Sequence, residues 1–251
     1  VPGIEKLEQN EYTHIKKTIG VISGKGGVGK STVTSLLACA MASRDKKVAV
    51  IDADITGPSI QRAFNLSDAV EDGEFLLPSE SKCGIKAMSV NLLLEDKTDP
   101  VLLRGPVIAN TVKQFYTEVM WGDVDYMFID MPPGTGDVAL TVFQSIPLDG
   151  VIIVSTPQSL VSMIVKKAIK MAYKMNIPVL GIVENMAYIK CPDCGKRIDI
   201  FGESSLVDIA DIYNIPLRAS LPVNPELARA MDEGRIEDVR VEELKDLVEA
   251  L

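Results

Sequence analysis

Residues 18–32 read Thr18-Ile19-Gly20-Val21-Ile22-Ser23-Gly24-Lys25-Gly26-Gly27-Val28-Gly29-Lys30-Ser31-Thr32. From Gly24 onward the stretch fits G-x-x-x-x-G-K-[ST], a nucleotide phosphate-binding loop. The segment before it is apolar and β-prone, and the segment after it, Val33 to Ala42, suits a helix. That strand–loop–helix order gives the motif its chemistry. Glycines let backbone N–H groups turn inward around a phosphate, and the helix start adds the positive end of its dipole. Lys30 is expected to neutralise the β- and γ-phosphates, and Ser31 to offer its hydroxyl to Mg²⁺. The candidate nucleotide-binding set is Gly24, Lys25, Gly26, Gly27, Val28, Gly29, Lys30, Ser31 and Thr32.

Outward from this loop, apolar β-prone runs alternate with helical stretches. Strands are predicted at 17–23, 47–52, 85–90, 125–130, 150–154, 178–184 and 216–221. Helices are predicted at 30–43, 106–119, 136–145, 160–175, 203–212, 225–233 and 241–250. Such alternation builds an α/β fold, a mostly parallel twisted sheet with helices on both faces. Val151-Ile152-Ile153-Val154 is continuously apolar, as a strand buried on both faces requires. Polar residues 1–16 predict a flexible lead-in carrying the only histidine, His14, at the surface. Residues 17–251 predict a single ATPase domain without internal repeats. Residues 67–84 are acidic and punctuated by Pro and Gly, predicting an irregular, mobile surface loop.

Composition narrows the function. Hydrophobic residues make up 47% of the 251 and aromatics 5%, so the core is aliphatic. A formal net charge of −9 argues against broad nucleic-acid binding, which depends on clustered Lys and Arg. No apolar run approaches the roughly 20 residues that span a bilayer. The opening residues lack the apolar segment of a signal peptide, so a cytoplasmic protein is expected. In that reducing compartment the four cysteines are expected as thiols or metal ligands rather than disulfides.

The second loop residue, Lys25, resembles the signature lysine of the deviant Walker A (MinD/ParA-like) ATPases. In that group two subunits meet across two nucleotides, and this lysine reaches the neighbour's site. The resemblance implies a catalytic role for Lys25 in trans; a second phosphate contact within its own subunit is the alternative. Val48-Ala49-Val50-Ile51-Asp52-Ala53-Asp54 places two carboxylates at a predicted strand end, where ligands bind in open α/β sheets. Asp54 is expected to orient the attacking water, with Asp52 in support; capping of the next helix is the alternative for Asp52. Tyr126-Met127-Phe128-Ile129-Asp130 ends in a further acid, expected to act on Mg²⁺. Met131-Pro132-Pro133-Gly134-Thr135-Gly136-Asp137 then suits a switch that senses γ-phosphate, with Asp137 also a natural helix cap. Arg104 could pair with a partner subunit or form a surface salt bridge. Asn185, carrying both a donor and an acceptor, matches an adenine edge, and Pro222 and Val223 could wall the base.

Cys191-Pro192-Asp193-Cys194-Gly195 is a second cluster of chemistry. C-x-x-C lets one centre take both thiolates, and the Pro and Gly shape a tight knuckle. It supplies only half of a four-thiolate site. Cys39 lies in a predicted helix and Cys83 stands alone, so both read as structural. A two-fold dimer brings the same patch to itself. Two Cys191/Cys194 pairs would then make a Cys₄ site, suited to zinc or an iron–sulfur cluster. A redox dithiol and an inert knuckle are the other readings.

Together, Gly24–Thr32, Asp52–Ser59, Asp130–Asp137, Glu184-Asn185-Met186 and Cys191–Gly195 resemble the Mrp/ApbC/Nbp-type iron–sulfur cluster carriers. The resemblance runs from about residue 15 to 235. It implies a homodimer that hydrolyses ATP with Mg²⁺, binds a [4Fe–4S] cluster bridged by Cys191 and Cys194 of two subunits, and passes it to apoproteins. Two other readings remain. One is a zinc-bridged regulatory dimeric ATPase. The other is a MinD/ParA-like ATPase positioned on DNA or membrane, against which stand the acidic balance and the acidic helix expected at 241–250. Neither nucleic acid nor membrane is expected as a partner.

Overall fold

The computed structural model describes residues 6–54, 57, 59–67, 70–72, 75–93, 105–134, 136–157, 161–202 and 206–251. The aliphatic run before the phosphate loop forms strand β1 (Thr13–Ser23), and the loop passes into helix α1 (Lys30–Ala42). There follow β2 (Val48–Asp52), the single-turn α2 (Ile60–Ala63), β3 (Val70–Asp72), β4 (Phe75–Leu77), β5 (Ser79–Glu80), β6 (Lys86–Met88) and α3 (Gly105–Thr117). The second half runs β7 (Gly122–Asp130), α4 (Asp137–Ser145), β8 (Gly150–Ser155), α5 (Val161–Lys174), β9 (Val179–Lys190), β10 (Arg197–Ile198), α6 (Leu206–Ile212), β11 (Leu217–Pro222), α7 (Pro225–Asp232) and α8 (Lys245–Ala250).

Among the described residues the main sheet carries parallel strands in the order β11-β9-β8-β1-β7-β2-β6. Antiparallel β5 and β10 flank it. β1 is central, and the β1–α1–β2 crossover steps over β7, so that Asp52 and Asp130 become register partners. The β1–α1–β2 crossover runs to one side of β1, and the β7–α4–β8 crossover returns across β1 to the other. The loops at the carboxyl ends diverge there, opening the crevice in which such sheets bind ligands.

Burial on both faces explains the continuous strand runs. Val21, Val50, Ile51, Phe128, Ile129 and Val151–Val154 are almost wholly excluded from solvent. Each such side chain contributes about 1.5–3 kcal/mol of hydrophobic stabilisation. The cap of α7 is legible in its sequence: Asn224 Oδ1 accepts from the N–H groups of Glu226 (3.0 Å) and Leu227 (3.3 Å), and Pro225 follows it.

Several expectations change. Residues 6–12 are tied down rather than flexible: Lys6 Nζ donates to Phe143 O at 2.8 Å, and Asn10 Nδ2 to Thr117 O and Val119 O at 2.9 Å. β1 then starts at Thr13, with His14 exposed upon it. Residues 1–5 lie outside the described residues. Within 67–84, expected to be irregular, β3 pairs antiparallel with β4 and β5 pairs with β6. Alternation over strands of two or three residues is too brief to read. The helix expected at 241–250 is a 3₁₀ turn at Glu242–Leu244 continued by α8. Its Leu244, Leu247 and Val248 are buried in the core. No helix among the described residues is long and apolar enough to cross a membrane.

Candidate functional site

The phosphate loop leaves β1 at Ser23 and enters α1 through Gly29, which has φ +80°. Two constraints require glycine there. The left-handed backbone disfavours a β-carbon, and one built on Gly29 would lie 2.1 Å from Asn185 Nδ2. Gly24 is confined in another way: a β-carbon there would sit 1.8 Å from Ile164 Cγ2 of α5. At Gly26 and Gly27 a β-carbon would meet nothing within 4 Å. The outer loop therefore faces open space, a cradle of the kind a phosphate chain fills. Ser23 Oγ fixes the loop base by donating to Lys25 O at 3.0 Å.

Lys30 is buried, yet its ammonium is not isolated. Nζ lies 2.8 Å from Asp130 Oδ1 and 3.7 Å from Asp54 Oδ2. Asp130 is fully buried and also accepts from Ser31 Oγ at 2.5 Å and Thr34 Oγ1 at 2.8 Å. Thr34, one helical turn beyond Lys30, had not been singled out as a site residue. The signal was its (i, i+4) spacing on the same face as Lys30. Lys30, Ser31 and Asp130 thus form one charge-assisted cluster below the loop. The oxygen donors Ser31 and Asp130 fit a hard divalent cation such as Mg²⁺.

Asp52 is buried beside Asp130. Its Oδ1 accepts from Asp54 N (3.1 Å) and its Oδ2 from Ile60 N (3.3 Å), the amide that opens α2. Asp52 therefore does hold the start of the next helix. Burial first, and then the Asp130 carboxylate, push its carboxyl well above the ordinary range, with Lys30 pulling the other way. Asp54 is less buried than Asp52, with its Oδ2 3.7 Å from Lys30 Nζ. Ile55, Thr56 and Pro58 of the following turn lie outside the described residues.

Strand ends carry the remaining loops to the same place. Ala53 N donates to Asp130 O (2.9 Å), Met131 N to Val21 O (3.0 Å) and Gly134 N to Ser23 O (2.9 Å). The proline-stiffened segment after Asp130 is thereby stitched to the base of the phosphate loop. Gly136 takes the cap position of α4, and Asp137 is its first helical residue rather than its cap. Arg104 and Thr135 lie outside the described residues. At the end of β8, the buried Thr156 Oγ1 has no hydrogen-bond partner among the described residues, an unforeseen polar group at the carboxyl edge of the sheet.

Asn185 does not stand in a turn after its strand. β9 continues through it to Lys190. The register against β11 shifts between Ser220 and Pro222, and Met186 adopts φ +54°. Such a bulge re-aims a side chain, and a positive φ at methionine is a strained choice. Asn185 Nδ2 consequently reaches Val28 O of the phosphate loop at 3.0 Å. Pro222 is half-buried and pairs with Tyr188, and Val223 N donates to Tyr188 O at 2.7 Å. Val223 itself is exposed.

The far end of β9 carries the cysteines. Cys191 N donates to Lys196 O and Gly195 N to Cys191 O, both at 2.9 Å, closing a knuckle between β9 and β10. Backbone N–H groups of Cys194 and Asp193 donate to the Cys191 sulfur, and with the neighbouring thiol they hold it below its usual pKa. That arrangement favours a thiolate ready for a soft metal. Cys194 is exposed, and so are the apolar Ile198, Ile200 and Phe201 beside it. Among the described residues no three His, Cys, Asp or Glu side chains gather as a metal site. Cys39 is buried in α1 and Cys83 sits in the turn before β6, both away from the knuckle.

Comparison with known proteins agrees with this geometry. Residues 14–250 match the ParA-class model described as NUBPL iron-transfer P-loop NTPase. The chain is 48% identical over 242 residues to the iron-sulfur cluster carrier protein of Clostridium perfringens, covering 93% of this chain and 84% of that one. It is 44% identical over 232 residues to the protein of that name from Methanocaldococcus jannaschii, covering 91% and 80%. Among solved structures, a nucleotide-binding protein of Archaeoglobus fulgidus in complex with ADP aligns with TM-score 0.83 and 44% identity, covering 92% and 91%. The cell-division ATPase MinD of Pyrococcus furiosus aligns with TM-score 0.59 at 19% identity, covering 93% and 96%, a likeness of fold.

Proposed function

The chain belongs to the iron-transfer P-loop NTPase family, and from that membership we propose that it is an ATP-hydrolysing iron–sulfur cluster carrier. Two copies hold one [4Fe–4S] cluster between their Cys191 and Cys194 thiolates and pass it to apoproteins. The observation that carries the reading is the exposed knuckle at the end of β9, the strand whose Asn185 also grips the phosphate loop. Cluster and nucleotide would share one structural element, spanning roughly 20 Å from Asn185 to Cys191 at about 3.3 Å per residue.

On the nucleotide side, Lys30 would bind the β- and γ-phosphates of ATP, with backbone N–H groups of Gly26 to Gly29 around them. Ser31 and Asp130 would hold Mg²⁺, which supplies charge neutralisation at the phosphates. Asp54, beside Lys30, would orient the attacking water, while Asp52 holds the turn that carries Asp54. Lys25 of each copy would complete the other's site, tying hydrolysis to pairing. Asn185, Pro222 and Val223 would border the adenine, with Asn185 also bracing Val28. On the cargo side, sulfur donors favour iron–sulfur chemistry over hard cations. The exposed Ile198, Ile200 and Phe201 offer apolar surface for a second copy to cover.

The same thiolates would also take zinc, which makes a zinc-bridged dimeric ATPase the second reading. A transfer assay separates the two. Anaerobically reconstituted protein is mixed with an apo-dehydratase whose activity needs a [4Fe–4S] cluster, in the presence of an iron chelator. Recovery of dehydratase activity with wild type, and none with Cys191→Ser, supports the carrier. No recovery, with tightly held zinc in the purified protein, would replace it with the structural-metal reading.

A further inference from the structure

Helix α5 carries a second surface that the nucleotide and cysteine chemistry leaves unused. Its sequence, Val161–Lys174, contains four lysines and no acid, in a chain of net charge −9. Val165, Ala168, Ile169 and Ala172 face the core. Lys167, Lys170 and Lys174 follow (i, i+3, i+7) spacing and therefore share the outward face. Each is exposed, and none has a carboxylate within ion-pair distance among the described residues. By contrast Lys16, Lys47 and Lys190, on other surfaces, all sit against acids at 2.7, 3.2 and 2.7 Å. The three lysines rim a cavity of about 410 Å³ between α4 and α5, floored by the half-buried Leu140, Met171 and Met175. The other flank of α5 is already taken, with Tyr173 Oη donating to Tyr213 O at 2.8 Å.

We propose that this basic-rimmed, methionine-floored groove between α4 and α5 docks an acidic polypeptide segment that carries apolar side chains. Three cations with no acid partner among the described residues ask for carboxylates, and a floor of methionine and leucine adapts to apolar side chains of varied shape. Extended polyanions fit less well. The net negative charge of the whole chain repels a duplex or an anionic bilayer, whereas a short segment within a Debye length of about 8 Å feels the local lysines. Neither a phosphate backbone nor a flat headgroup layer would enter an apolar-floored groove. The surface is also placed to communicate, because Ile164 of the same helix packs directly on Gly24 of the phosphate loop. A segment that draws α5 outward would relax that contact, so docking is expected to change nucleotide affinity.

The test uses the full chain without cluster, which keeps its outcome separate from the carrier reading. The probe is a fluorescein-labelled peptide of about 20 residues, long enough for a helix, with glutamates on one face and leucines on the other. Saturable binding is expected by anisotropy, weakening as salt rises. Lys167→Glu, Lys170→Glu and Lys174→Glu combined should weaken it by about tenfold or more. Met171→Asp should weaken it with the lysines intact. Unchanged thermal melting and ADP binding would show that both variants fold. No binding, binding insensitive to these changes, or equal binding of a polyglutamate without leucines would overturn the proposal. So would preferential, lysine-dependent binding of phosphatidylserine vesicles or duplex DNA. A triple variant altered only in self-association would make the groove an interface between copies instead.

Discussion

The side-chain amide of Asn185 donates to the main-chain oxygen of Val28 at 3.0 Å, joining the middle of β9 to the phosphate loop. Both groups are buried, so the bond has no ready substitute from water. Asn185→Ala leaves a carbonyl unsatisfied and a gap above Gly29. It should cost about 1–3 kcal/mol of stability in urea titrations. ADP should bind several-fold more weakly by calorimetry. An unchanged ADP affinity would remove Asn185 from the nucleotide site.

Lys30 and Lys25 should separate cleanly. Lys30 is held by Asp130 and Asp54 inside the site, so Lys30→Ala leaves buried acids without their cation and should abolish nucleotide binding. Lys25 is half-buried at the loop base, where its carbonyl accepts from Ser23 Oγ. Lys25→Ala should retain ATP with little change in affinity, while turnover falls by about 10³-fold or more, as for trans-acting cations in phosphoryl transfer. Normal turnover by Lys25→Ala would mean that each copy hydrolyses alone.

Asp52 predicts a pH dependence. Its folded-state pKa is raised above the ordinary value by burial and by Asp130. A raised pKa means that the folded protein binds the proton more tightly than the unfolded chain. The stabilisation is complete below the ordinary carboxylate range, roughly pH 4, and is lost as pH rises toward the raised value. Asp52→Asn keeps the shape without the charge. In the nucleotide-free protein it should flatten the fall in melting temperature between roughly pH 4 and the raised value of about 8. A variant with the wild-type slope would assign the slope to other groups.

The Gly24–Ile164 contact gives a fourth test. Gly24→Ala forces a methyl group into Ile164 and should destabilise by about 1–3 kcal/mol, as overpacking does. Gly24→Ala with Ile164→Ala should recover part of that loss, because the clash is relieved. Additive losses would show that the two residues do not press on one another.

Much of this molecule was legible in its sequence because its signals are local. The phosphate loop needs glycines and a lysine at fixed spacing, and the buried strands betray themselves as unbroken aliphatic runs. The acids at positions 52 and 130 were found because strand ends are where such sheets work. What stayed hidden depends on partners distant in sequence. Thr34 matters through Asp130, and Gly24 through Ile164. The bulge at Met186 has no sequence signature, yet it turns Asn185 onto Val28 and lets β9 run on to the cysteines. The tethering of residues 6–12 was missed because polar side chains there bond to backbone carbonyls of α3, α4 and their connections.

The shared cluster is the centre of this account, and native mass spectrometry of anaerobically reconstituted protein addresses it most directly. The account predicts a species of two chains plus one [4Fe–4S] unit. Cys191→Ser and Cys194→Ser should each lack that added mass while still binding ADP. A cluster carried by a single chain, or a dimer holding only zinc, would contradict it.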